Sequence, residues 1–160
     1  TYPFIFDVPN YKEIGTIEFP QNYEIQLSAF AQELSVYDNE NDFYESQTTE
    51  FKFAVQSFIP SGVFPIDGEE KATPTATGIF TGIIKEVEKK MNNFTNNEFY
   101  HLLVETLGGE ADIVADVRFF EKKPVINGIV WGQFWLSGQL LNPPERKHQV
   151  ESFFKRLFKK

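Results

Sequence analysis

The chain contains no cysteine and a single methionine. Disulfides, thiolate metal sites and cysteine nucleophiles are therefore excluded, and the adaptable thioether that fills gaps in many interiors is almost absent. Histidine occurs only at His101 and His148, and neither has metal-ligand spacing to another strong ligand. No apolar run approaches the ~20 residues that cross a bilayer as a helix, and no secretory leader is visible. Serine-hydrolase, Walker, dinucleotide-binding and HExxH patterns are likewise missing. Basic residues are scarce in residues 1–70, which are strongly acidic; residues 71–143 are nearly balanced and residues 144–160 are basic, within a net charge of −8. An acidic body disfavours nucleic acid, whose binding comes mainly from neutralised phosphates. A cytoplasmic location is expected, and no cofactor is implied.

Aromatic rings are abundant instead. Eighteen phenylalanines within 160 residues, 41% of them apolar, suit one domain with a rigid, ring-packed core. Residues 1–142 read as that domain, with core strands over 76–141 and an acidic N-terminal part over 1–70. The first twenty residues mix aromatics with proline and glycine, as short edge strands or an extended packing arm do. Residues 23–46 stay ambiguous: Leu27, Phe30, Ala31 and Leu34 recur at helical spacing, whereas Tyr23, Ile25, Leu27, Ala29 and Ala31 alternate as in a strand. Phe51, Phe53 and Val55 alternate toward Pro60 and predict a strand.

Beyond Ala76 the pattern is strongly β. Ala76, Gly78, Phe80, Gly82 and Ile84 share a row whose two glycines predict a bent, closely packed strand. Residues 98–119 read as a hairpin turning at Gly108-Gly109. That register places Val104 across from Ile113 and Leu102 across from Ala115 in an apolar inner row. The outer row then sets His101 against Asp116 and Glu105 against Asp112. A carboxylate beside the imidazole gives a potential general base. The paired acids Glu105 and Asp112 give a weak cation site, and a solvated sheet face needs neither role. In the last strand Trp131, Gln133, Trp135, Ser137 and Gln139 share one row. Rings that stack, beside amides and hydroxyls that donate and accept, form a recognition surface unless a second layer covers them.

"GIFTGIIKEV", the hairpin and "NGIVWGQFWLSG" together resemble an OB-fold barrel, a class that implies oligonucleotide or oligosaccharide binding. Two departures stand out. "EKKPVIN" is too short for the usual intervening helix, and the fifth strand must come from upstream, with residues 51–59 the candidate. The pattern is also similar to uncharacterised bacterial single-domain proteins, which implies no established activity.

After Pro143-Pro144, residues 143–160 read as a basic amphipathic helix. Its stripe of Val150, Phe153, Phe154, Leu157 and Phe158 is backed by Lys155 and Arg156, and suits docking on the domain, a partner groove or an anionic membrane surface. The expected fold is thus mainly β: a single OB-like antiparallel barrel with an N-terminal extension and a C-terminal helix. The leading function is a non-enzymatic binding module for a protein or small ligand, using Trp131, Gln133, Trp135 and Ser137 with His101 and Asp116. An oligonucleotide-binding module ranks second, and an enzyme built on His101 and Asp116 third.

Overall fold

The computed structural model describes residues 3–63 and 73–145. Its main elements are β1 (Ile25–Tyr37), α1 (Glu40–Ser46), β2 (Ser57–Ile59), β3 (Thr77–Met91), β4 (Glu98–Thr106), β5 (Gly109–Asp116) and β6 (Ile129–Leu140). Strands β3, β4, β5, β1 and β6 are hydrogen-bonded in that circular order, because β6 pairs back onto β3. The result is a closed five-stranded barrel compatible with an OB-like barrel, with β2 attached at the edge of β3. Among the described residues no helix is long and apolar enough to cross a membrane.

Two expectations about the barrel are corrected. The sheet is mixed rather than antiparallel, because β1 runs parallel to β5 with Ala29 beside Ile113. The fifth stave does come from upstream, but it is β1 and not residues 51–59. Only Ser57–Ile59 of that latter segment is a strand, and Phe51 is exposed. The N-terminal part is therefore built into the barrel wall.

Residues 23–46 are ambiguous because they contain both structures and an irregularity. A β-bulge at Gln32 separates Ala31, opposite Phe134, from Leu34, opposite Gly132. One extra residue changes the alternation, so inward side chains fall three apart and imitate a helical face. Then α1 starts where the Asn39 side chain accepts from the Asp42 N–H at 3.0 Å. It buries Phe43, whose ring meets Tyr37 edge-on at 5.2 Å.

The interior is smaller and more aliphatic than eighteen phenylalanines imply. Ile84, Leu102, Val104, Ile113, Val130 and Leu136 fill it with Phe80 and Phe134, while Phe19, Phe51 and Phe94 are exposed. A file of rings leads inward from the N-terminal arm: Phe4 to Phe58 at 5.5 Å, Phe58 to Phe80 at 5.5 Å and Phe80 to Phe134 at 4.1 Å. Gly82 has the close-packing role its row predicts. A Cβ there would lie 2.4 Å from Val104 and 2.6 Å from the Glu105 carbonyl.

The β4–β5 hairpin folds with its inner row as expected but with a register two residues different. Val104 stands across from Ala111, and Leu102 across from Ile113. The turn is centred on Leu107-Gly108, and the positive φ falls on Gly109 at 121°. Thr106 latches it: its Oγ1 accepts from the Gly108 N–H at 3.0 Å and donates to the Gly109 carbonyl at 2.8 Å. A shift of two preserves sheet faces, since side chains alternate with period two, but every cross-strand partner changes. Residues 146–160, and with them the predicted helix bearing Phe153, Phe154, Lys155, Arg156, Leu157 and Phe158, lie outside the described residues.

Candidate functional site

The altered register reassigns the polar side chains of the hairpin. His101 does not meet Asp116; it stands across from Val114, and its Nε2 lies 2.8 Å from Asp112 Oδ1 on the diagonal. Asp116 instead receives the Arg118 side chain at 2.9 and 3.0 Å and the Arg118 N–H at 2.9 Å, closing the short 3-10 turn after β5. Those Arg118 hydrogen bonds hold the Asp116 carboxyl below its usual range. Glu105 stands across from Glu110 and is ion-paired with Lys85, which lowers its carboxyl too. The Glu105–Asp112 opposition behind the cation reading does not occur. Among the described residues, no three His, Asp or Glu side chains group as a metal site.

His101 and Asp112 belong to a longer polar line across the outside of the barrel. Gln139 of β6 donates to Gln26 of β1 at 2.8 Å. Gln26 donates to Asp112 of β5 at 2.9 Å, and Asp112 meets His101 of β4. His101 Nδ1 then lies 3.3 Å from Glu88 of β3, which is also paired with Lys90. The hydrogen bond from Lys90, and after it the one from His101, keeps the Glu88 carboxyl below its usual range. Five staves are tied by side chains as well as by backbone. The chain also fixes amide orientation: an ionised carboxylate only accepts, so Gln26 presents Nε2 to Asp112 and Oε1 to Gln139.

The outward row of β6 sits where the sequence places it, but its members differ in access. Trp131 is partly covered, with the Phe53 ring edge-on at 6.3 Å. Gln133 is half-buried opposite Glu33. Trp135 is 40% exposed, stacks obliquely on Phe30 at 5.1 Å and donates its indole N–H to Asp7 at 2.6 Å. Ser137 is buried beneath the N-terminal arm. That arm continues the sheet beyond β3: the Asp7 N–H donates to the Leu136 carbonyl at 3.0 Å, and the Asp7 carbonyl accepts from the Gly138 N–H at 2.8 Å. The arm therefore extends the edge of the sheet rather than forming a second layer over it, and its Asp7 fixes the Trp135 indole.

Across the β1–β6 seam the outward residues match in kind. Phe30 pairs with Trp135, Ser28 with Ser137 and Gln26 with Gln139, giving successive aromatic, hydroxyl and amide rungs. Pro9 and Asn10 of the arm overhang the two polar rungs and with them line an open cleft of about 310 Å³. Asn10 occupies the N-cap of the 3-10 turn Tyr11–Glu13, yet its side chain makes no capping bond. Its Oδ1 is buried and accepts no hydrogen bond from the described residues. Sequence reasoning missed Gln26, Ser28, Phe30 and Asn10. The alternation Gln26, Ser28, Phe30 mirrors Gln139, Ser137, Trp135, but it becomes a face only once residues 25–37 are known to be a strand beside β6.

Of the predicted set Ser137 lines the cleft, with Gln139 of the same row, while Trp135 stands one rung beyond it against Phe30. His101 is linked to the cleft through Asp112 and Gln26, whereas Trp131, Gln133 and Asp116 lie outside it. No protein-family model, curated protein or solved structure matches the chain.

Proposed function

We propose that the protein is a non-enzymatic binding module whose ligand face is the β1–β6 seam beside the Asn10 overhang. The observation that carries this reading is the matched ladder of aromatic, hydroxyl and amide pairs leading into a cleft. Its size falls at the lower end of small-molecule sites. The polar rungs hold no evident nucleophile with a base, so recognition rather than bond cleavage suits them. We read the barrel as OB-type with its final stave transposed to the front of the chain, because β1 lies between β5 and β6 and parallel to β5. The oligonucleotide face of such a barrel corresponds to its second and third staves, here β4 and β5. That face carries Glu105, Glu110 and Asp112 with Glu88 close by, a poor setting for phosphates.

The test is an NMR titration against a chemically mixed fragment library, following the Trp135 indole and the side-chain amides of Gln26 and Gln139. Hits should shift these signals together, and Phe30→Ala should abolish the shifts without unfolding the protein. A library that perturbs only β4–β5, or nothing, would sink the reading.

A further inference from the structure

We infer that residues 146–160 dock as a basic amphipathic helix on the outer face of β1 and β5, over an apolar belt with an acidic rim. The inference goes beyond the ligand reading, and neither requires the other.

The belt comes from the register. Trp135 pairs with Phe30, and Phe30 pairs with Val114 in the parallel β1–β5 ladder, so three staves present apolar side chains outward at one level. Leu103 of β4 continues the belt on the diagonal, beside His101, which stands across from Val114. Phe30 is 36% and Trp135 40% exposed, and Val114 and Leu103 are partly buried. A contiguous row of this kind, rimmed by polar groups, marks a contact surface.

The rim is acidic. Glu33 lies on the same face beyond the bulge, opposite Gln133. Asp7 accepts from the Trp135 indole, and Asp112 meets Gln26 and His101. Lys90 and Arg118 are engaged by Glu88 and Asp116. Among the described residues the belt is therefore bordered by surplus negative charge. The complementary charge is concentrated in residues 146–160, which hold six of the fifteen Lys and Arg and only one of the twenty-three acids. The same segment carries Val150, Phe153, Phe154, Leu157 and Phe158 at helical spacing, flanked by Lys155 and Arg156. An apolar stripe with basic flanks matches an apolar belt with an acidic rim in both respects.

The reach also suits. The described chain ends at Glu145, which bridges to Ile14, while the Pro144 carbonyl accepts from the Gly15 N–H at 2.8 Å. This is the end of the barrel where β6 finishes beside the start of β1, with Leu140 opposite Ile25. Phe30 lies farther along β1 by about 17 Å at strand rise, and a helix of the tail's length spans about 22 Å. A tethered segment acts at high effective concentration, so modest affinity is enough. The tail and a ligand of the β1–β6 seam then share Phe30, and release of the tail becomes a means of control.

The experiment exploits the lack of cysteine. A nitroxide is attached to the full chain at Ser152→Cys, on the side of the predicted helix away from its apolar stripe. The backbone amides of Phe30, Leu103 and Val114 and the Trp135 indole should lose intensity relative to the reduced label. Phe154→Ser with Leu157→Ser should abolish that loss, and Lys155→Glu with Arg156→Glu, or high salt, should diminish it, while the remaining barrel amides keep their positions. Broadening elsewhere on the barrel, or none, overturns the proposal, as does a loss that survives Phe154→Ser with Leu157→Ser. Broadening that appears when spin-labelled ¹⁴N chains are mixed with unlabelled ¹⁵N chains would assign the tail to a second copy and also overturn it. A tail that spares the belt but is itself broadened by phosphatidylglycerol vesicles would make the membrane its target, with the same consequence.

Discussion

Two glycines of this barrel look alike in the sequence and are needed for unrelated reasons. Gly109 has φ at 121° with nothing within 4 Å of an added Cβ, so its constraint is backbone conformation alone. Gly82 has no such φ, but an added Cβ would meet Val104 and the Glu105 carbonyl of the neighbouring strand. Gly109→Ala should cost about 1–3 kcal/mol through strain. Gly109→Asn should cost about as much, since this φ lies well beyond the left-handed helical region that asparagine tolerates. Gly82→Ala should cost about 1–3 kcal/mol through overpacking, and a second change, Val104→Ala, should recover part of it by clearing the nearest atom. Denaturant unfolding of the four variants checks this, and a Gly109→Asn protein as stable as the parent would refute the conformational account. The sequence showed that both positions matter; it could not say which glycine of the 108–109 pair bears the turn. That choice is made by the Thr106 hydroxyl, which bonds to Gly108 and Gly109.

At the scale of elements, what was legible was the face and what was not was the register. The apolar rows of β3, β4, β5 and β6 could be read because inward and outward positions alternate, and a two-residue shift leaves that alternation intact. Partners such as His101 with Asp112 could not, since they depend on the turn. The bulge at Gln32 hid β1 in the same way, and with it half of the β1–β6 seam. The outer surface of these strands makes a prediction about acid. Glu88, Glu105 and Asp116 are held below the usual carboxylate range by Lys90, Lys85 and Arg118 respectively. A carboxyl depressed in the folded state contributes stability that is complete above its unfolded value and disappears as pH falls through its folded one. All three are solvent-facing, so the effect should be modest and weakened by salt. Melting temperature should therefore drop from about pH 5 to pH 3, and drop less steeply in a Glu88→Gln, Glu105→Gln, Asp116→Asn triple variant. Parallel acid curves for the two proteins would place the sensitivity elsewhere.

For the whole molecule, the decisive fact is that the barrel closes between elements from opposite ends of the described chain. β1 pairs along its length with β6 and, in parallel, with β5, so the last seam to form must await most of the sequence. Such non-local pairing slows folding, because loop-closure entropy is spent before the contacts that offset it. A permuted chain running 73–145, a flexible linker, then 3–63 would place β3, β4, β5, β6 and β1 in succession. It shortens the span joining β1 to both neighbours and interrupts the connection beside the short β2–β3 edge. It also omits residues 1–2, 64–72 and 146–160, so the parent for comparison is the same two segments linked in their natural order. Joining Glu145 to Pro3 keeps the arm contiguous with β6, whose open edge it already extends through Asp7. The permutant should retain a cooperative transition and the near-ultraviolet signature of Trp135 packed on Phe30, and it should refold faster than the parent in stopped-flow experiments. Equal or slower refolding would mean that closure of the β1 seam does not limit the rate, and that the barrier lies in the β3–β4–β5 sheet, which both chains share.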